Sequence, residues 1–136
     1  MKRNKKLIRG SLLFLFLAVV VPGVLWLISA NSPVTLSLNV TVVEAHHLVE
    51  DGAFLLDVRT QEEWDDSHVP GAVLIPLAEL ASRTNEVPND VDVIVMCRSG
   101  NRSQQGRDIL INAGHVNVYS MDGGINEWIQ AGFVVE

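Results

Sequence analysis

The sequence predicts an α/β domain, a central parallel sheet with helices on both faces, preceded by an N-terminal hydrophobic signal or anchor helix. Two observations predict it. Short apolar runs of strand length recur along residues 39–136, and each is separated from the next by a stretch with helix start and stop signals. Strands that alternate with helices are most simply parallel neighbours in one sheet covered on both sides.

The elements follow in order. Lys2, Arg3, Lys5, Lys6 and Arg9 precede an uncharged run of 19 residues, 12–30. Positive charge before such a run holds the N-terminus in the cytoplasm and sends the following chain across the membrane. The run has the span of a bilayer, and Pro33 would hinder cleavage after the small residues at 30–32. Residues 11–30 are therefore read as a retained anchor, with a cleaved signal peptide as the alternative, and the domain is placed outside the cytoplasm. Residues 31–38 form a polar linker bearing Pro33, and residues 39–136 the folded domain. A short strand is expected over 39–43, a helix over 43–50 and a buried strand over 53–58. Thr60 and Glu63 make a capping box that starts a short helix. A strand over 72–75 and a proline-led helix over 76–83 come next. A turn at 85–90 leads into the apolar strand 91–96. The last strand is expected over 116–119, and a helix over 125–131 is stopped by Gly132.

Chemistry concentrates after the 91–96 strand. Cys97, the only cysteine, heads Cys97-Arg98-Ser99-Gly100-Asn101-Arg102-Ser103, and a helix is expected from about Arg102 to Ala113. A cysteine beside a helix start meets unpaired amides and the positive end of the helix dipole, which favour a thiolate or a bound oxyanion. Gly100 permits a backbone turn closed to other residues, and Arg98 and Arg102 add permanent positive charge. Cys97 is thus the candidate nucleophile, with Arg98, Ser99, Gly100, Asn101, Arg102 and Ser103 as the candidate binding loop. Ser103 has two available roles, capping the helix or bonding the sulfur. Four residues separate cysteine and arginine, one fewer than in the Cys-x5-Arg loop of tyrosine phosphatases. The smaller loop suits one extra sulfur atom better than a phosphoryl group.

The segment resembles the rhodanese-like sulfurtransferases, whose active loop reads Cys, Arg or another residue, then Gly and Arg-Ser. Leu56-Asp57-Val58-Arg59, Glu63-Trp64, Ser67-His68-Val69-Pro70-Gly71-Ala72, residues 114–118, and Gly123-Gly124-Ile125 with Trp128 resemble further family motifs in the same order. Ser67 stands where the family usually has glycine. The resemblance spans about residues 40–135 and implies a single-domain thiosulfate sulfurtransferase. Its implied partners are a small donor such as thiosulfate and a thiol or cyanide acceptor, and it implies neither a cofactor nor a metal. A phosphatase or arsenate-reductase-like enzyme and a non-catalytic anchored interaction module are the alternatives.

Charge narrows the partners. Outside the leader there is no lysine, and five arginines face sixteen acidic residues, a formal −11. Such a surface opposes nucleic acid or an anionic membrane face as a partner. Arg98 and Arg102 lie in the loop and Arg107 shortly after, so the sequence places positive charge at the proposed site. Asp57 and Arg59 read as a structural pair, His68 as part of a structural turn, and Trp64 and Trp128 as packing residues. His46 and His47 read as solvent-exposed rather than metal-binding, because no cysteine or carboxylate cluster is evident beside them.

Overall fold

Period-two alternation along the central strands decides the layering. The computed structural model describes residues 38–136; the proposed leader, and the linker up to residue 37, lie outside the described residues. Along β4 (Val93–Met96) the side chains of Val93 and Val95 join one buried cluster, and those of Ile94 and Met96 join another. In β2 (Phe54–Asp57), Leu55 and Leu56 divide the same way. Both faces are therefore dry, as parallel strands covered by helices require.

Five strands make the sheet, in the order β1-β5-β4-β2-β3, all parallel, where β1 is Asn39–Val40, β3 Val73–Leu74 and β5 Val118–Met121. One face carries α3 (Leu77–Leu80) and α4 (Asn101–Asn112), whose Leu80 and Leu110 pack on Leu56, Val58, Val93 and Val95. The other carries α1 (Val42–Glu50) and α5 (Gly124–Gln130), with Val42, Ala45, Ile125 and Trp128 against Leu55, Ile94 and Met96. A short helix α2 (Gln61–Asp66) follows β2. No helix among the described residues is long and apolar enough to cross a membrane.

Several boundaries differ from the sequence reading, each for a physical reason. The first strand stops at Val40 because Thr41 caps α1, its hydroxyl accepting from the Glu44 amide while Glu44 accepts from the Thr41 amide. The helix expected over 76–83 ends at Leu80 and is followed by a 3₁₀ turn at Thr84–Glu86. Arg83 clamps that corner through Glu79 and Glu86. The last strand lies two residues later than expected, because Ser120 and Met121 pair with Asn39 and Val40. Val116, expected inside it, is exposed. The last helix starts and ends one residue earlier than expected.

Strand order also positions the site. The chain moves from β2 outward to β3, then returns across β2 to β4 and on to β5. Neighbouring β2 and β4 therefore feed connections running in opposite directions, and a crevice opens at their carboxyl ends. Asp57 ends β2 there and Cys97 follows β4.

Candidate active site

Cys97 continues the alternation of β4, so its side chain falls on the α3–α4 side of the sheet, in the cluster with Val95 and Leu110, and is almost fully buried. Gly100 then turns the chain with φ of 102° and starts α4 at Asn101, one residue before the expected start. This turn folds the loop over the sulfur. The Gly100 amide lies 3.1 Å from Cys97 Sγ. Burial pushes the Cys97 thiol up, but the backbone amides of Ser103, Ser99 and Gly100, with the Ser103 hydroxyl, outweigh it and leave the pKa below its ordinary value.

The amides face the sulfur because the carbonyls are held the other way. Cys97 O accepts from the Ile125 amide at 2.8 Å and Arg98 O from the Asn126 amide at 3.2 Å. The first turn of α5 thus uses its free N–H groups to grip the loop from behind. Only glycine fits at the contact: a Cβ on Gly124 would lie 2.4 Å from Cys97 O, and its φ is 59°.

Of its two expected roles Ser103 takes the contact with the sulfur and not the cap, since α4 carries no side-chain cap hydrogen bond. Its hydroxyl donates to Gly100 O at 2.8 Å and lies 3.7 Å from Cys97 Sγ. Behind it, the buried Ser120 of β5 donates to the Ser103 hydroxyl at 2.8 Å. Sequence reasoning missed Ser120. Its only signal was a hydroxyl standing in an otherwise apolar strand.

The arginines divide by environment. Arg102 makes two 2.7 Å hydrogen bonds to Glu63. The pair raises the Arg102 pKa, with further support from the charges of Cys97 and Asp57. Arg107 reaches away from the loop to Asp108, Leu38 O and Asn39, so it ties α4 to the sheet edge and adds no charge to the site, contrary to expectation. Arg98 is exposed and, among the described residues, makes no side-chain hydrogen bond or ion pair. It borders a crevice of about 190 Å³ with Arg59, Glu63, Asp66, Ser67 and Asn126. Ser99 and Asn101 are exposed at the loop rim.

Glu63 therefore has two jobs where the sequence showed one. It closes the Thr60 capping box and pairs with Arg102. Its hydrogen bonds from Arg102, opposed by desolvation and aided by the Thr60 amide, lower its pKa from 4.5 to about 2. A depressed carboxylate pKa stabilises the fold above the unfolded value and loses that contribution as pH falls through the folded one. Glu63→Gln is expected to flatten the pH dependence of unfolding free energy between about 4.5 and about 2. Denaturant titrations at several pH values would show it; parallel wild-type and variant curves would refute the pairing's role.

The remaining candidates are structural. Asp57 and Arg59 form a buried ion pair at 2.7 Å, and Arg59 also donates to Glu63 O and Ser67 O. His68 stacks on Trp64 and bonds Trp64 O, and its backbone exchanges two hydrogen bonds with Glu136. Trp128 lies in the core and donates to Val134 O.

Comparison with known proteins matches this geometry to a family. The family model described as rhodanese-like domain covers residues 41–131. The chain is 35% identical over 85 residues to the thiosulfate sulfurtransferase GlpE of Pseudomonas syringae pv. syringae, covering 62% of this chain and 80% of that protein. It is 34% identical over 85 residues to a sulfurtransferase of Allochromatium vinosum, covering 62% and 79%. Among solved structures, a rhodanese-related protein from Thermoplasma volcanium superposes with a TM-score of 0.67 at 26% identity, covering 72% of this chain and 96% of that one. A strand-end cysteine in a glycine-turned loop, on a five-stranded parallel sheet matched over nearly the whole described region, identifies the chain as a member of the rhodanese-like domain family.

Proposed function

We propose that the domain is a thiosulfate sulfurtransferase that carries sulfur as a persulfide on Cys97. The observation that carries this reading is the set of amides from Ser99, Gly100 and Ser103 around a buried sulfur, strong enough to lower the thiol pKa against the cost of burial. The thiolate attacks the outer sulfur of thiosulfate. A Cys97 Sγ–S bond forms, the S–S bond of thiosulfate breaks, and its electron pair leaves on sulfite. The loop amides then hold the terminal sulfur, whose partial negative charge takes the place of the thiolate's. An acceptor such as cyanide or a thiolate attacks that sulfur, and the Sγ–S electron pair returns to Cys97. Two half-reactions through a covalent intermediate make the kinetics ping-pong.

Arg98 supplies the unpaired loop charge at the mouth, where it offsets the acidic surface for an incoming anion. Arg102 acts through its field while paired to Glu63. Sulfurtransferase relatives at about a third identity support sulfur transfer in general. The five leader cations and the uncharged run after them support an extracytoplasmic domain anchored by residues 11–30.

Intact-mass spectrometry after thiosulfate treatment tests the reading. One adduct of about 32 Da, mapped to Cys97 and discharged by cyanide, is expected for a persulfide. A chain whose mass is unchanged by thiosulfate would overturn it. The same spectrum shows whether the leader is kept.

A further inference from the structure

Away from the loop, at the C-terminal end of α1, His46, His47 and Glu50 bring one ligand atom each to within 4.8 Å of one another. The sequence reading set the histidines aside for want of a cysteine or a cluster of carboxylates; a single carboxylate completes the group. The helix supplies one, because Glu50 is four residues from His46 and three from His47, the spacings that share a helical face.

The distances fall within the ordinary range of an ion pair, and they also suit the ligand spacing of a coordination site. His46 Nδ1 is 3.4 Å and His47 Nδ1 3.6 Å from the same Glu50 Oε2. Both exceed the usual reach of an N–H···O hydrogen bond, about 2.7–3.2 Å. A zinc-like ion bound about 2.0–2.1 Å from each atom sets tetrahedral ligands about 3.3–3.4 Å apart, so two edges of the polyhedron are nearly in place. The third closes by rotation of the His47 side chain, which is 71% exposed. His46 is already oriented. Its ring stacks on Phe133 at 3.9 Å and lies 5.4 Å from Trp128.

We propose that His46, His47 and Glu50 form a surface site for a divalent ion of the zinc and copper class. Two imidazoles and one carboxylate select such an ion over calcium or magnesium, which prefer all-oxygen shells. The site lies on the α1–α5 face of the sheet, whereas Cys97 packs on the α3–α4 face, so the ion does not draw on the reactive thiol. By linking His46, His47 and Glu50 the ion cross-links the last turns of α1, whose His46 ring rests on Phe133. Binding to the folded state alone raises the unfolding temperature.

Calorimetric titration of the full chain with Zn²⁺, alongside thermal unfolding, tests the site. Wild-type and Cys97→Ser proteins are expected to bind one ion with equal affinity and to melt higher with Zn²⁺ present. Glu50→Gln and His47→Ala are each expected to weaken binding at least about tenfold while leaving sulfur transfer unchanged. Unchanged affinity in both ligand variants would overturn the proposal, placing the ion elsewhere, such as at His68 and Glu136. Loss of binding only in Cys97→Ser would assign the ion to the thiol and equally overturn it. So would the absence of measurable binding in the wild type.

Discussion

Cys97→Ser is expected to reduce thiosulfate:cyanide sulfur transfer by at least about 10³-fold, to the level of the uncatalysed reaction. The exchange of Sγ for a hydroxyl oxygen keeps the loop's hydrogen bonds and nearly the same shape. The amides that lower the pKa of a thiol cannot bring a serine hydroxyl into ionisation near neutral pH. An oxygen at this position also has no persulfide to form, so neither half-reaction proceeds. Because Cys97 is buried without a disulfide partner, the variant should remain folded, with a melting temperature within a few degrees of wild type. Rate measurements paired with circular dichroism separate lost chemistry from lost structure. A folded variant retaining a tenth of wild-type turnover would show that sulfur travels by another route.

Asp57→Ala is expected to have the largest effect on stability. Asp57 has no exposed surface and Arg59 very little. The carboxylate accepts from the Arg59 amide, Nε and Nη2, at 2.7–3.0 Å. Its removal leaves a guanidinium charge in the interior without a counter-charge, a loss of about 3–5 kcal/mol. For a domain of this size each kcal/mol moves the melting temperature by roughly 4–8 °C, so a fall of order 15 °C or more follows. The effect also reaches the site. Arg59 holds the carbonyls of Glu63, within α2, and of Ser67, at its C-terminal end, and Glu63 in turn holds Arg102. Replacing both partners with apolar residues of similar volume should restore much of the loss, since the unpaired charge disappears with its partner. Denaturant unfolding of the single and double variants checks both statements. A loss below about 1 kcal/mol in the single variant would show that water replaces the carboxylate.

Local features were legible in the sequence. The apolar runs at 53–58 and 91–96 became β2 and β4, and the Thr60 box capped α2 with both of its hydrogen bonds. Such features depend on residues within one turn or one strand of each other. The partnership of Glu63 with Arg102 bridges 39 residues, and that of Ser103 with Ser120 bridges 17. Neither leaves a periodic trace. The position of β5 was misread because the apolar pattern at 116–121 tolerates two registers, and the pairing with β1 chooses the later one. The glycines at 123 and 124 were visible as motif letters. The physical reason at Gly124, the close approach of α5 to the carbonyls of Cys97 and Arg98, required the fold, as did that at Gly123, a positive φ beside the Glu127 side chain.

The grip of α5 on the loop has one more consequence. The polar groups that meet the sulfur are mostly main chain, fastened from behind by other main chain, with the Ser103 hydroxyl, backed by Ser120, as the side-chain contributor. Ser99 and Asn101 face water, and so does the unpaired Arg98. The rim of the loop is therefore a region where new letters change the callers admitted to the sulfur without retuning it, so recognition and reactivity can diverge along separate evolutionary paths.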